Sequence, residues 1–314
     1  MVSYTIRRLL AAVLVTLGVC FLTFTAIHLA PGDVAESIAR GNFVFDETPP
    51  QDVVDATAAR YQLTNPFFIR FLSWLSPIFR GDFGISYAYN IPVAEIIFPK
   101  LRNTIGLGSL ALLFAVLAGV PLGAAAGFRQ GKAIDTVPGS FSLILVSVPS
   151  FCLGLGLIIL FSVTLGVLPV SGKENPRSFI LPSATLALGM FPAIFQITRG
   201  SIIDLKNHDF IKMVKAKGLP PGLMVGRHLL KNAAIPLITV IASQAGHILG
   251  GSVVVETVFG WPGIGKLVID SIKSKDIPAL QCCVLIIALG YALVNIAADF
   301  SYAIIDPRIR AGRI

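Results

Sequence analysis

Six stretches of this 314-residue chain run long and apolar enough to cross a lipid bilayer: about Leu9–Ala30, Thr104–Phe128, Val137–Val167, Phe179–Thr198, Pro236–Val255 and Gln281–Ile304. A hydrocarbon core about 30 Å thick takes about 20 apolar residues of helix, because every backbone polar group must be satisfied inside the segment. The pattern therefore predicts an all-α membrane protein with six transmembrane helices. Composition agrees, since 54% of residues are hydrophobic and 13% are charged, about half the charge of an ordinary soluble domain. Pro149 interrupts the long third stretch, so a kink is expected there.

Charge sorts by loop. On one side fall Arg7 and Arg8; Arg129 and Lys132; Arg199, Lys206, Lys212, Lys215, Lys217, Arg227 and Lys231; and Arg308, Arg310 and Arg313, opposed only by Asp135, Asp204, Asp209 and Asp306. The opposite side is nearly balanced. Basic loops stay in the cytoplasm, so the expected topology is N-in/C-in in a cytoplasmic (inner) membrane. This sorting also accounts for the net charge of +8 without nucleic acid as a partner. The first stretch follows Arg7 and Arg8 as a signal peptide would, but its apolar core is long and no small-x-small site follows, which favours a retained anchor.

The segment 31–103 lies outside on this topology. Within it Asn65-Pro66 opens a run in which Phe67, Phe68, Phe71, Leu72, Leu75, Ile78 and Phe79 recur at helical spacing. That is a helix too short to span, either lying in the membrane interface or packed on the spans. Gly119, Gly123 and Gly127, and likewise Gly246 and Gly250, recur every fourth residue. Small residues at this spacing let helices approach closely, within one subunit or between two.

Chemistry-bearing residues are sparse. Cys20, Cys152, Cys282 and Cys283 sit in apolar runs without a CxxC, and His28, His208, His228 and His247 are scattered, so no metal site is expected. There is no GxxxxGK[ST] for phosphate, no HExxH and no Ser/His/Asp set, so no catalytic residue is assigned and the chain is not expected to be an enzyme. Within the spans the ionisable or polar candidates are Gln244 and His247, with Glu256 at the outer end of the fifth and Asp299 near the inner end of the sixth. Midplane carboxylates of the kind an ion-driven carrier uses are missing, which points to another energy source.

The longest cytoplasmic loop, 199–235, carries the most specific signal. From His208 it reads HDFIKMVKAK, with Phe210, Met213 and Val214 on one helical face; Gly218 stops the helix, and Pro220-Pro221 opens a second short one. A helix, a glycine break and another helix make a knob whose apolar face fits a partner's groove.

The runs DFIKMVKAKGL and RHLLKNAAIP resemble the coupling (EAA) loop of ABC importer permeases, in the form used by the peptide and nickel branch. Collinear matches to that branch are YTIRRLL (Tyr4–Leu10), LAPGD (Leu29–Asp33), GDFGISY (Gly81–Tyr87), LPVSG (Leu168–Gly172), ETVFGWPGIG (Glu256–Gly265) and DPRIR (Asp306–Arg310). The departure is Lys212-Met213-Val214, where the general family has Glu-Ala-Ala. The resemblance implies a type I ABC importer permease fold: a tail and first span in 1–30, an extracytoplasmic segment in 31–103, and a core permease domain in 104–314. It implies docking of an ATPase by Asp209, Phe210, Met213, Val214, Lys215, Ala216, Gly218 and Leu219. The implied partners are a second permease subunit, two ATPase subunits holding ATP and Mg, an extracytoplasmic substrate-binding protein, and lipid; no cofactor is implied for this chain. Gln244, His247, Glu256 and Trp261 are its candidates for the pathway or gate, with an interfacial anchor as the plainer role for Trp261. Peptide transport is the expected function, with nickel or nickel-chelate transport, a secondary transporter, and an intramembrane enzyme or scaffold as alternatives.

Overall fold

The computed structural model describes the chain except for residues 1, 30–33, 41–48, 207, 209–228 and 306–314. Its helices are α1 (Val2–Leu29), α2 (Val34–Arg40), α3 (Gln51–Arg60), α4 (Phe67–Ile78), α5 (Val93–Phe128), α6 (Ala133–Ser147), α7 (Ser150–Leu157), α8 (Ile180–Lys206), α9 (Ala234–Val258), α10 (Ile264–Lys273) and α11 (Ile277–Ile305). Among the described residues five helical segments are long and apolar enough to span a membrane: Ile6–Ile27, Val93–Phe128, Pro176–Lys206, Ala234–Val258 and Ile277–Ala298. The third expected span is broken. Its halves, Ala133–Ser147 and Ser150–Thr164, meet at an angle of 108°. Pro149 sits at the break, in extended backbone with ψ 143°, where its missing N–H and its ring both oppose a continuous helix. The second half ends in a π-helical turn, Ile158–Thr164.

The chain divides into two compact units. One comprises chiefly Ile105–Trp261 and Leu293–Ile314, the other Val2–Thr104 and Pro262–Ala292. In the first, α8 is the central helix. Met190, Ile194, Leu186 and Leu181 of α8 are buried with Leu107, Ala111 and Ala115 of α5, Val240, Ile248 and Val255 of α9, and Trp261.

Glycine sets the α5–α8 distance. A Cβ placed on Gly119 would lie 2.9 Å from Ile194 Cγ2, one on Gly123 2.7 Å from the Phe195 carbonyl oxygen, and one on Gly127 2.6 Å from that of Arg199. The repeat read in the sequence is therefore a seam within one subunit. Its other expected reading, a contact between two permease halves, is not where these three glycines point.

In the second unit α5 starts at Val93 rather than at Thr104. Lys100 and Arg102 break the apolar run before Thr104, but the extra turns are apolar on one side. Val93, Ile96 and Ile97 pack with Ile264 and Leu267 of α10 and with Cys282 and Cys283 of α11. Helix α10 was not foreseen; the spacing of Ile264, Leu267, Val268 and Ser271 is the signal that marks it. Helix α4 packs its aromatic face on α1, with Phe67 and Phe71 rings 5.1 and 5.4 Å from Phe24. The adjoining face stays largely exposed: Leu72 is 60% exposed, and Phe68, though its ring stacks 6.3 Å from that of Phe21, is 67% exposed. Of the two expected arrangements, the structure shows the packing of this helix on a span.

Candidate functional site

The residues expected to dock an ATPase, Asp209, Phe210, Met213, Val214, Lys215, Ala216, Gly218 and Leu219, lie outside the described residues. What the structure describes is the frame that holds that loop. Its incoming stem is the end of α8 and its outgoing stem begins at Leu229. Ile202 and Leu229, both fully buried, share a cluster with Ala124 of α5, joined by Phe128, Leu205 and Leu230. Lys206 Nζ donates a hydrogen bond of 2.8 Å to the Phe128 carbonyl, and its ammonium lies 5.5 Å from the centre of the Phe128 ring. A lysine at that carbonyl satisfies an acceptor the helix end leaves open and complements the negative end of its dipole. Both stems are thus fastened to one point, the C-terminal end of α5.

A second fastening joins α6 to α8. Arg199 faces Asp135 through two contacts, Nε to Oδ1 at 2.5 Å and a terminal guanidinium nitrogen to Oδ2 at 3.0 Å. Asp135 also accepts from the Gly131 N–H at 2.9 Å. Further along, Gln196 Nε2 donates to Ser142 Oγ at 3.2 Å. The Asp135 side chain is 5% exposed and that of Arg199 35%, and both line a cavity of about 520 Å³ between these helices. A two-pronged pair of this kind is directional. Asp135→Asn and Arg199→Gln, combined in a double-mutant cycle of thermal unfolding in detergent, are expected to show a coupling of about 1–2 kcal/mol. A coupling below about 0.3 kcal/mol would reduce the pair to a surface contact.

The pathway candidates separate into two settings. Gln244 is half-buried and His247 exposed, and the two are three residues apart on α9, so they share an outward face of the chain. Glu256 and Trp261 are both fully buried. Glu256 accepts from Ser252 Oγ at 3.1 Å. Trp261 stands edge-on to Phe179, ring centres 4.4 Å apart, and the Trp261 backbone N–H donates 2.8 Å to the Glu256 carbonyl. Gly260 makes the turn with φ +58°, and the Gly172 N–H bonds the Phe259 carbonyl at 3.1 Å. Two motifs far apart in sequence, LPVSG and FGW, are therefore one packed corner. Trp261 is an internal wedge there rather than an exposed interfacial anchor.

Asp276, Asn103 and Thr104 were not among the sequence candidates. Asp276, 1% exposed, accepts from the Ser86 hydroxyl, from the Tyr87 N–H at 3.1 Å and from the Ala279 N–H at 3.3 Å. It thereby caps α11 and latches the GDFGISY loop in one group. Gly81 and Gly84 carry φ +81° and +79°, which L side chains rarely adopt. Burial, with Tyr61 and Asp276 nearby, pushes the Tyr87 phenol up to about 12, Arg70 acting in the other direction. Asn103 and Thr104 hold the chain after Trp261. The Asn103 amide donates to the Pro262 carbonyl at 2.8 Å, and Thr104 Oγ1 accepts from the Ile264 N–H, also at 2.8 Å.

Several membrane-length helices, two of them joined by a glycine seam, define a multi-helix integral membrane protein. The comparisons agree. Residues 119–311 match the model of the family described as binding-protein-dependent transport system inner membrane component. The chain is 36% identical over 315 residues to a probable peptide ABC transporter permease protein, y4tP, of Sinorhizobium fredii, covering 98% of this chain and 99% of that protein. It is 36% identical over 312 residues to the glutathione transport system permease protein GsiC of Salmonella choleraesuis, covering 99% of each. Against the dipeptide transport system permease protein DppB of Alkalihalophilus pseudofirmus it is 34% identical over 338 residues, covering 99% of this chain and all of that one. A chain from inward-facing structures of the MetNI methionine ABC transporter superposes with TM-score 0.59 at 16% identity, covering 68% of this chain and 97% of the other; that likeness concerns the fold.

The chain belongs to the binding-protein-dependent transport system inner membrane components, as a permease subunit of an ABC importer. It is a multi-pass inner-membrane protein, and in such importers ATP is hydrolysed on separate subunits. The secondary-transporter and enzyme or scaffold alternatives fall with that membership.

Proposed function

We propose that this subunit forms half of the pathway of a di- or oligopeptide importer, with both termini in the cytoplasm and loop 199–235 docked on an ATPase. On this reading 1–30 is the tail and first span, 31–103 an extracytoplasmic segment, and 104–314 the core permease domain. A second permease subunit completes the pathway, two ATPase subunits bind ATP and Mg beneath it, and a binding protein delivers substrate outside. The observation that carries the reading is the shared fastening of both loop stems to the end of α5. A loop pinned at both stems passes a push from a docked partner into α5 and α8, whereas a loosely tethered one would absorb it. The peptide class rests on the relatives, whose names concern peptide, dipeptide and glutathione transport; none of these three concerns nickel. Gln244 and His247 are the residues proposed to face the pathway, with Glu256 and Trp261 supporting it from within the packed corner.

The assembled importer, purified through a tag on this chain, tests the docking. Phe210→Asp puts a charge on the apolar docking face, and Gly218→Pro removes the helix stop. Each is expected to lower co-purified ATPase at least tenfold, as loss of an interface anchor of 1.4 kcal/mol or more would, while the chain stays in the membrane. Full retention of ATPase and of peptide-dependent ATP hydrolysis in both variants would remove the docking assignment. Dipeptide uptake into vesicles that needs ATP and the binding protein, with no nickel uptake, is the matching result for substrate class.

A further inference from the structure

The second unit contains a cavity of about 330 Å³ that the transport reading does not use. Its lining includes the polar side chains of Arg70, Trp74, Asp82 and Gln281, among others, and the aromatic rings of Phe24 and Tyr61. Arg70 and Asp82 enter no ion pair among the described residues. Trp74 Nε1 and Gln281 Nε2 are buried N–H donors with no acceptor among the described residues, and burying a donor without a partner is costly unless a ligand or water supplies one. Burial also lowers the pKa of the Arg70 guanidinium, which Tyr87 partly offsets.

The arrangement is a cation and two N–H donors for an anionic oxygen group, together with a carboxylate for a cation. Asp82 Oδ1 already accepts the Gly84 N–H at 2.9 Å, which leaves its second oxygen for that purpose. A small zwitterion fits these groups, and the volume equals about eleven waters at their liquid share of about 30 Å³ each. The surroundings decide which kind. Phe24 belongs to α1, whose Leu14, Val15 and Leu22 are 71%, 64% and 68% exposed, and Trp74 belongs to α4, whose Phe68 and Leu72 are also largely exposed. Acyl chains cover such faces, whereas a soluble zwitterion would leave them uncovered. The geometry points to a binding site for an aminophospholipid, its phosphate on Arg70, Trp74 and Gln281 and its primary ammonium on Asp82. Such a lipid ties α1, α4, the 82–87 loop and the start of α11 together at the membrane surface.

The test uses the intact importer complex in detergent and native mass spectrometry with added phosphatidylethanolamine, phosphatidylglycerol or phosphatidylcholine. Phosphatidylethanolamine is expected to be retained about tenfold more tightly than phosphatidylcholine, whose quaternary ammonium cannot donate to Asp82. Asp82→Asn, which keeps the oxygen that Gly84 uses, is expected to erase that preference. Arg70→Gln is expected to weaken both of those lipids and phosphatidylglycerol about tenfold. Equal retention of all three lipids by the wild type overturns the proposal without recourse to any variant. Displacement of phosphatidylethanolamine by millimolar glycyl-leucine would reassign the cavity to the transported solute and equally overturn it. The docking experiments above are independent of either result.

Discussion

Gly123→Leu is expected to abolish accumulation of folded chain, and Gly123→Ala to cost about 3 kcal/mol. A Cβ at this position would sit 2.7 Å from the Phe195 carbonyl oxygen, 2.8 Å from Thr198 Cβ and 3.2 Å from the Arg199 amide nitrogen. Two of these are backbone atoms of α8, so no side-chain rotation relieves the clash; α5 and α8 must separate. Lipid provides no hydrophobic drive to hold them together afterwards, since the association rests on close packing. Overpacking of a tight contact costs about 1–3 kcal/mol, and more where backbone has to move. Gly106 of the same helix is the control, because nothing lies within 4 Å of a Cβ there. Gly106→Ala is expected to be neutral or to stabilise by up to about 1 kcal/mol through helix propensity. Thermal unfolding of the purified chain in detergent compares them, and similar midpoints for the two alanine variants would show that the seam does not hold α5 against α8. The consequence reaches the loop, since α5 and α8 are the elements that brace its stems.

The second large effect is expected at Asp276. Its carboxylate serves the Ser86 hydroxyl and the backbone N–H groups of Tyr87 and Ala279 inside a dry setting. Asp276→Ala leaves those donors buried without an acceptor, each at about 1–3 kcal/mol, for a combined loss of about 4 kcal/mol. Asp276→Asn keeps one acceptor oxygen and is expected to cost less than half as much. Limited proteolysis reads the local part: cleavage within 81–92 should rise at least tenfold in the alanine variant before the rest of the chain is cut. Uncut loops in an otherwise destabilised variant would mean that Asp276 matters only as the cap of α11. The outer loop would then be held by its own turns, such as the Ser86 N–H to Ile91 carbonyl bond of 3.0 Å.

Much of the architecture was legible because lipid is a demanding solvent. A stretch such as Pro236–Val255 has one structure open to it in hydrocarbon, so its existence follows from apolar length alone. The break at Pro149 followed from covalent chemistry, although its 108° angle did not. The start of α5 at Val93 was hidden by Lys100 and Arg102, because the sequence shows their charge and not the apolar neighbours from α10 and α11. The loop proposed to couple to the ATPase was legible as a motif, and the frame at its stems was not: Lys206 on the Phe128 carbonyl and Arg199 on Asp135 each join positions far apart in the chain.

By itself, then, the order of residues determined a helical membrane protein, its spans, the charge asymmetry of its loops and its kinship with importer permeases, all of which depend on local composition and period. Tertiary structure alone decided that the glycine repeat on α5 faces α8 of the same subunit. It also decided that Trp261 is an internal wedge, and that Asp276 joins a loop and a helix nearly two hundred residues apart. The physical reason is that a helix period shows which residues share a face but not what that face meets. Partners for glycine, carboxylate and indole are chosen by distance in space, which only the folded chain fixes.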